Sequence, residues 1–307
     1  MTPDQAAPGE GAGTRAGDVA LVGRPNVGKS SLLNALTGEV LSIVTPRAQT
    51  TRERVVGIYT DETTQMVFVD TPGLLEPSYL LQRSMLEAAT TAAREADLVL
   101  LLLDALRPEE LPPDAAVRLL QTRGDALFVA INKVDAAGAA GVDRLKRWSE
   151  EVLGVPARRL SARTGEGVAE LRDALAAALP ESPFLYPADE VAVQSVRFFV
   201  AEFVREAIFE LFEEEIPYST VVKVEEFREA ADPVYIRATV YVERESQKPI
   251  LLGRGGAGIK RLGQAARAKI ESFLGTRVFL DLWVKVLPGW RRRRSALEYL
   301  GYSVPEE

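Results

Sequence analysis

Gly23-Arg24-Pro25-Asn26-Val27-Gly28-Lys29-Ser30 follows the phosphate-loop pattern G-x-x-x-x-G-K-[ST], and its flanks decide the fold. Val19-Ala20-Leu21-Val22 before it reads as a buried strand, and Ser31-Leu32-Leu33-Asn34-Ala35-Leu36 after it opens a helix whose N-terminus attracts anions. The loop needs glycines because backbone N–H groups must turn inward around phosphate oxygens, where a Cβ would stand in the way. Lys29 is placed to neutralise terminal phosphate charge, and Ser30 to offer its hydroxyl to Mg²⁺. A strand, a phosphate loop and a helix in this order imply a nucleoside triphosphate bound by an α/β sheet.

Working outward, residues 18–180 alternate short apolar runs with longer helical patterns, which predicts a mostly parallel sheet with helices on both faces. Val67-Phe68-Val69, Leu98–Leu103 and Leu127–Ile131 are the expected buried strands, and ligands in such sheets sit at the carboxyl ends. Asp70-Thr71-Pro72-Gly73 follows one of them, placing a carboxylate to hold the Mg²⁺ shell and a Gly73 N–H to bond a γ-phosphate. Asn132-Lys133-Val134-Asp135 follows another and chooses the base. A carboxylate there accepts two hydrogen bonds from the N1–H and exocyclic amine of guanine, a donor pair that adenine lacks. Asn132 is expected to brace the loops and Lys133 to lay its stem along the base. Ser161-Ala162-Arg163 completes the base pocket, its backbone N–H groups reaching the guanine carbonyl. Between loop and Asp70 lies Gln49-Thr50-Thr51-Arg52, where a threonine coordinates Mg²⁺ only while a γ-phosphate holds the segment; Thr51 is preferred over Thr50.

A chain of 307 residues with 47 % apolar content accommodates two domains. It has no cysteine and no histidine, which excludes disulfides, thiolate metal sites and imidazole-based catalysis. The net charge of −7 is unevenly spread: residues 244–294 carry 13 Lys+Arg against 3 Asp+Glu, whereas residues 1–243 carry 24 against 38. An acidic body with a basic C-terminal segment points to a polyanionic partner for that segment alone. Residues 1–17 read as a disordered tail without the features of a signal peptide, and the longest apolar run, Leu98–Leu103, is too short to span a bilayer. A cytoplasmic, monomeric protein is expected, any contact with the inner face of the cell membrane being peripheral.

Three prolines in Pro180–Pro187 mark a boundary, giving a nucleotide domain over 18–180, a linker over 181–190 and a second domain over 191–307. Beyond it the pattern runs helix (Val196–Phe212), strands (Thr220–Glu225 and Val234–Val242), helix (Ile250–Leu252), Gly-loop, helix (Ala257–Leu274) and strand (Val278–Val286). Gly253-Arg254-Gly255-Gly256 fits the G-x-x-G loop of a KH domain of the second type, a smaller α+β fold whose groove holds about four nucleotides. Lys260 and Arg261 on the next helix, with Arg291-Arg292-Arg293-Arg294 after the last strand, add phosphate contacts. Trp283 is expected to pack in the core of this domain rather than to stack on a base.

Together these segments resemble the translation-factor-related GTPases, and specifically the Era family, over nearly the whole chain after the tail. Val242–Gly256 and Leu282-Trp283-Val284-Lys285-Val286 with Trp290-Arg291 carry the likeness into the second domain. Ras-like switches place a water-orienting glutamine after the Asp-x-x-Gly glycine; here that residue is Leu74, an apolar replacement that the family shares. The resemblance implies slow, K⁺-stimulated hydrolysis with Asn26 helping to hold the K⁺, and binding to the 3′ end of small-subunit ribosomal RNA during 30S assembly. Relatives with two GTPase domains are set aside, since this chain has one phosphate loop and keeps the G-x-x-G. An RNA-binding assembly factor that uses GTP structurally is the alternative, and a P-loop ATPase with a nucleic-acid module the third.

Overall fold

The computed structural model describes residues 13–45 and 50–305, so Gln49 and most of the expected tail lie outside the described residues. The chain divides into two compact units, one of residues 1–39, 56–70 and 90–193, the other of residues 40–55, 71–89 and 194–307.

The first unit is built on strands β1 (Arg15–Gly23), β2 (Val55–Thr60), β3 (Thr64–Asp70), β4 (Leu98–Asp104), β5 (Leu127–Asn132) and β6 (Ala157–Arg159) in the order β2-β3-β1-β4-β5-β6. All of these but β2 pair in parallel. β2 and β3 are joined by residues 61–63, a connection short enough only for an antiparallel hairpin. The helices are α1 (Lys29–Thr37), α2 (Leu80–Glu95), α3 (Asp114–Gln121), α4 (Ala139–Trp148) and α5 (Val168–Ala178), and α2 continues from the second unit into the first. Every residue of β4 is buried, as a central parallel strand covered on both faces requires. Register decides function here: Leu21 pairs with Asp70, Gly23 with Leu102 and Asp104 with Asn132. The loop after β1, Asp70, Asp104 and Asn132 therefore meet at one end of the sheet.

Two expectations change. Arg15, Ala16 and Gly17 are the start of β1 rather than tail, because a parallel neighbour at Thr64–Met66 takes up their backbone groups. Residues after 180 do not run free: Gln65 holds Leu185 N (2.7 Å), Tyr186 N (2.9 Å) and Tyr186 O (2.9 Å), and Ile58 N donates to Val191 O.

In the second unit, α6 (Val196–Leu211) and α7 (Ile216–Ser219) precede β7 (Val221–Arg228) and β8 (Val234–Val242). α8 (Lys248–Leu252), α9 (Ala257–Leu274), β9 (Val278–Val286) and α10 (Arg294–Tyr299) follow. The sheet order is β7-β8-β9, β7 antiparallel and β9 parallel to β8, which is the arrangement expected of the second KH type. Val200, Val204 and Ile208 of α6, Leu262, Ala266 and Ile270 of α9, and Ile236, Ala238 and Val240 of β8 close its core. In β9, Val278, Leu280, Leu282 and Val284 face that core. Trp283 takes the opposite parity and is 53 % exposed, so the expectation that it packs inside is corrected by the two-residue period of the strand.

Residues 50–54 are anchored in this second unit. The guanidinium of Arg52 is buried and donates to Thr220 O (2.5 Å), Pro217 O (3.0 Å) and Tyr218 O (3.1 Å), while Trp290 Nε1–H takes Ser219 O (2.9 Å). These carbonyls at the end of α7 have no intrahelical donors, so two side chains from distant sequence cap them. Arg205 likewise donates to Thr50 O (2.7 Å) and pairs with Glu202. Leu81 and Met85 of α2 pack with Val221, Tyr241, Trp290 and Leu297. Arg52→Ala removes three hydrogen bonds to carbonyls at the end of α7, two of them buried, and is expected to cost about 3 kcal/mol of stability. Urea unfolding followed by tryptophan emission checks it, and a midpoint equal to wild type would show that water replaces the guanidinium.

Candidate nucleotide and nucleic-acid sites

The phosphate loop is shaped by backbone that only particular residues tolerate. Gly28 has φ 99°, and a Cβ there would lie 2.2 Å from Asn132 Nδ2; one on Gly23 would lie 2.5 Å from Leu102 O. Asn26 takes the left-handed conformation at φ 65°, which asparagine accepts more readily than most residues. Arg24 donates from Nη1 to Leu111 O (3.2 Å), and Pro25 stands half-buried between it and Asn26. Lys29 is buried and folds back over the loop, Nζ donating to Gly23 O (3.2 Å) and Arg24 O (3.1 Å). Ser30 Oγ donates to Asp70 Oδ2 at 2.7 Å. A hydroxyl and a carboxylate so close form a hard-oxygen pair of the kind Mg²⁺ takes alongside phosphate oxygens and water.

Burial lowers Lys29 to a pKa of about 8, with Asp70 opposing the shift. The folded value lies below the unfolded one, so the charged amine destabilises the nucleotide-free fold below pH 8, and this cost fades as pH rises from about 8 towards the unfolded value. A phosphate raises the pKa again. Nucleotide affinity is therefore expected to fall as pH rises above about 8, with proton uptake on binding; calorimetry in buffers of different ionisation enthalpy measures it. Absence of proton uptake at pH 9 would contradict this.

The base pocket is braced through Asn132. Its Nδ2 donates to Val27 O (2.8 Å), and its Oδ1 accepts from Lys133 N (2.8 Å) and Ala162 N (2.9 Å). Lys133, left-handed at φ 66°, donates from Nζ to Asn26 O and to Asp104 Oδ2, both at 2.6 Å. Asp104, at the end of β4 and level with Asn132, joins the site without a motif of its own. Val134 N donates to Leu160 O (3.3 Å), tying this loop to the end of β6. Asp135 accepts from Ser161 Oγ (2.6 Å) and Arg163 Nε (3.1 Å); the Ser161 hydroxyl and then the Arg163 guanidinium hold its carboxyl below the usual range. The N–H groups of Ser161 and Ala162 go to Glu166 O and Asn132 Oδ1, so the 161–163 segment acts on Asp135 through side chains, which was not anticipated.

Thr50, Thr51, Thr71, Pro72, Gly73 and Leu74 belong to the second unit, not to the unit that holds the phosphate loop. Thr51 is half-buried, Gly73 is buried, and Thr71 Oγ1 donates to Pro72 O (3.3 Å). Leu74 is buried at 2 % exposure.

In the G-x-x-G loop, Gly253, Gly255 and Gly256 all have positive φ (70°, 59° and 81°). A Cβ on Gly253 would lie 2.5 Å from Gly258 N, whereas Gly255 and Gly256 face open space where a phosphate could approach. Gly258, unnoticed in the sequence, lets α8 and α9 cross closely, its Cβ position lying 2.5 Å from Leu251 O. Arg254, Lys260 and Arg261 are exposed beside the loop. A groove of about 390 Å³ runs between Ile259, Lys260, Gly263 and Arg267 of α9 and Phe279, Leu280 and Leu282 of β9. Arg292 is exposed, but Arg291 is ion-paired with Glu243 and lies 5.1 Å from the Tyr79 ring centre, a structural use of a residue expected at the RNA surface.

Residues 18–133 match the model of the 50S ribosome-binding GTPases, and residues 215–291 that of the KH domain. GTPase Era of Thermotoga maritima is 43 % identical over 91 % of this chain and 94 % of its own length. That of Geobacter metallireducens is 40 % identical over 94 % and 98 %. Among solved structures, Aquifex aeolicus Era bound to GDP·AlF4⁻ superposes with TM-score 0.88 at 36 % identity over 94 % of this chain and all of that one. An Era complex with MgGDPNP and nucleotides 1506–1542 of 16S ribosomal RNA matches equally, TM-score 0.88 at 36 % identity, over 94 % and 99 %.

Proposed function

This chain belongs to the Era family of GTPases, and from that premise we propose that it hydrolyses GTP slowly and lets its nucleotide state govern how its KH domain grips the 3′ end of small-subunit ribosomal RNA during 30S assembly. The observation that carries this coupling is the destination of two segments. Residues 40–55 and 71–89, which contain Thr51 and Gly73, fold into the unit that holds the KH domain. A γ-phosphate that draws on Thr51 therefore draws on a residue flanked by Arg52, whose guanidinium is fixed to the end of α7.

In the nucleotide site, Asp135 selects guanine and Asn132 holds the base and phosphate loops in one frame. Lys29 supplies positive charge to stabilise the negative charge on the γ-phosphate oxygens as water attacks in line. Ser30 and Asp70, with Thr51, would hold the Mg²⁺ that neutralises phosphate charge. The aliphatic Leu74 cannot orient water, so that task falls to backbone groups, to K⁺ held with the help of Asn26, or to bound RNA. Single-turnover hydrolysis in KCl and in NaCl tests the K⁺ role, equal rates counting against it. In the KH domain, Gly253–Gly256 and the groove beside Lys260 take about four unpaired nucleotides. Among the described residues no helix is long and apolar enough to cross a membrane, and we place the protein in the cytoplasm as a monomer whose membrane contact, where it occurs, is peripheral.

Measuring RNA affinity with GTP, GDP and a non-hydrolysable analogue, alongside turnover, tests the whole reading. Affinity independent of nucleotide would overturn the coupling. Nucleotide-dependent affinity without turnover would favour the second reading, an assembly factor that uses GTP structurally, which buried Leu74 also favours.

A further inference from the structure

We infer that the outer face of the C-terminal sheet carries the RNA path beyond the groove, with Phe279 and Trp283 as stacking platforms for unpaired bases; this rests on the RNA reading above. Phe279 is 56 % and Trp283 53 % exposed, a degree of exposure that large aromatic side chains adopt at the cost of wetting apolar surface. They lie four residues apart on one face of β9, a separation of about 13 Å, so each would take a base of its own. Tyr235, opposite Phe279 in the register, stacks on it with ring centres 5.8 Å apart and planes within 12°. Arg228 and Arg237 lie over the Tyr235 ring at 4.9 and 5.6 Å, adding planar cations to the same face.

Continuity with the groove identifies the occupant. Phe279 lines the groove beside Lys260 and Gly263, so a strand seated in the groove reaches this face at Phe279, and Trp283 lies on the same face of β9. Arg228 pairs with Glu226, and Arg237 with Glu226 and Asp281, which leaves this face nearly neutral. It thus contributes stacking, which every base supplies through its π-face, while the basic loop and α9 supply the charge. The face extends a footprint and does not form an independent site.

The test uses the full chain and nested truncations of the RNA spanning nucleotides 1506–1542 of 16S ribosomal RNA, with affinity read by fluorescence anisotropy. Wild type should gain about ten-fold in affinity as length grows beyond the core that fills the groove. Trp283→Ala should lose that increment and keep core affinity, GTP binding and melting temperature, and Trp283→Phe should retain it. Gly255→Asp, which puts a carboxylate where the loop faces phosphate, should weaken RNA of every length. If Trp283→Ala follows wild type at all lengths while Gly255→Asp still weakens binding, the extension falls and the groove reading stands. If Gly255→Asp is also silent, both fall. Self-association of the wild type that Trp283→Ala abolishes would place a second copy on this face and overturn the inference.

Discussion

Asp135→Asn is expected to lower GTP affinity by about a thousand-fold and to create affinity for xanthosine triphosphate. Ser161 Oγ at 2.6 Å and Arg163 Nε at 3.1 Å aim the carboxylate and hold it ionised, so both its oxygens act as acceptors only. Guanine matches that pair with its N1–H and its exocyclic amine. An asparagine keeps one acceptor and turns a donor towards the amine, which loses two charge-assisted hydrogen bonds and opposes two donors. Xanthine carries a carbonyl where guanine carries the amine, and the asparagine donor then has a partner. Displacement of a fluorescent nucleotide by GTP, XTP and ATP measures the exchange. An unchanged preference for GTP would remove Asp135 from base recognition, and a gain for ATP would reopen the adenine alternative.

Gly28→Ala is expected to cost about a hundred-fold in nucleotide affinity, through the base as well as the phosphates. The new methyl would sit 2.2 Å from Asn132 Nδ2 on a backbone held at φ 99°. Asn132 has nowhere to retreat, because it donates to Val27 O and accepts from Lys133 N and Ala162 N. One carbon in the phosphate loop thus displaces the residue that sets both base-binding segments. Asn132→Ala also weakens binding, but in the double variant the collision is gone, so the two losses should sum to less than their parts. Strict additivity in calorimetric affinities would refute this steric link.

Much of the nucleotide site was legible because its residues lie in short contiguous motifs, each at the end of an apolar run. The strands at Val67, Leu98 and Leu127 stand where their hydrophobic stretches predict, and parallel register then brings their ends together. Asp104 was missed because a single acid after a strand has no motif around it; only its lysine partner, reached through the fold, reveals it. β2 was missed for a related reason: Val55–Thr60 is six residues long, includes Gly57, and lies beside turn residues that hide its alternation. Trp283 was misjudged because residue type was given more weight than parity, although Leu282 and Val284 on either side already took the core positions. The anchoring of Arg52 could not have been read at all, since its partners lie 165 to 168 residues away.

That separation bears on how the molecule is made. The second unit is assembled from three stretches, and the first two leave the ribosome at least 104 residues before the third. Until residues 217–220 emerge, the Arg52 guanidinium lacks the carbonyls it caps, and until Trp290 and Leu297 follow, Leu81 and Met85 lack their apolar partners. A fragment starting at residue 194 would meet the mirror-image problem: the end of α7 would lack three hydrogen bonds and an apolar patch would face water. The boundary drawn by domain names is thus not the boundary along which this chain reaches its final state, and segments synthesised near the start wait for the C-terminal half to supply their partners.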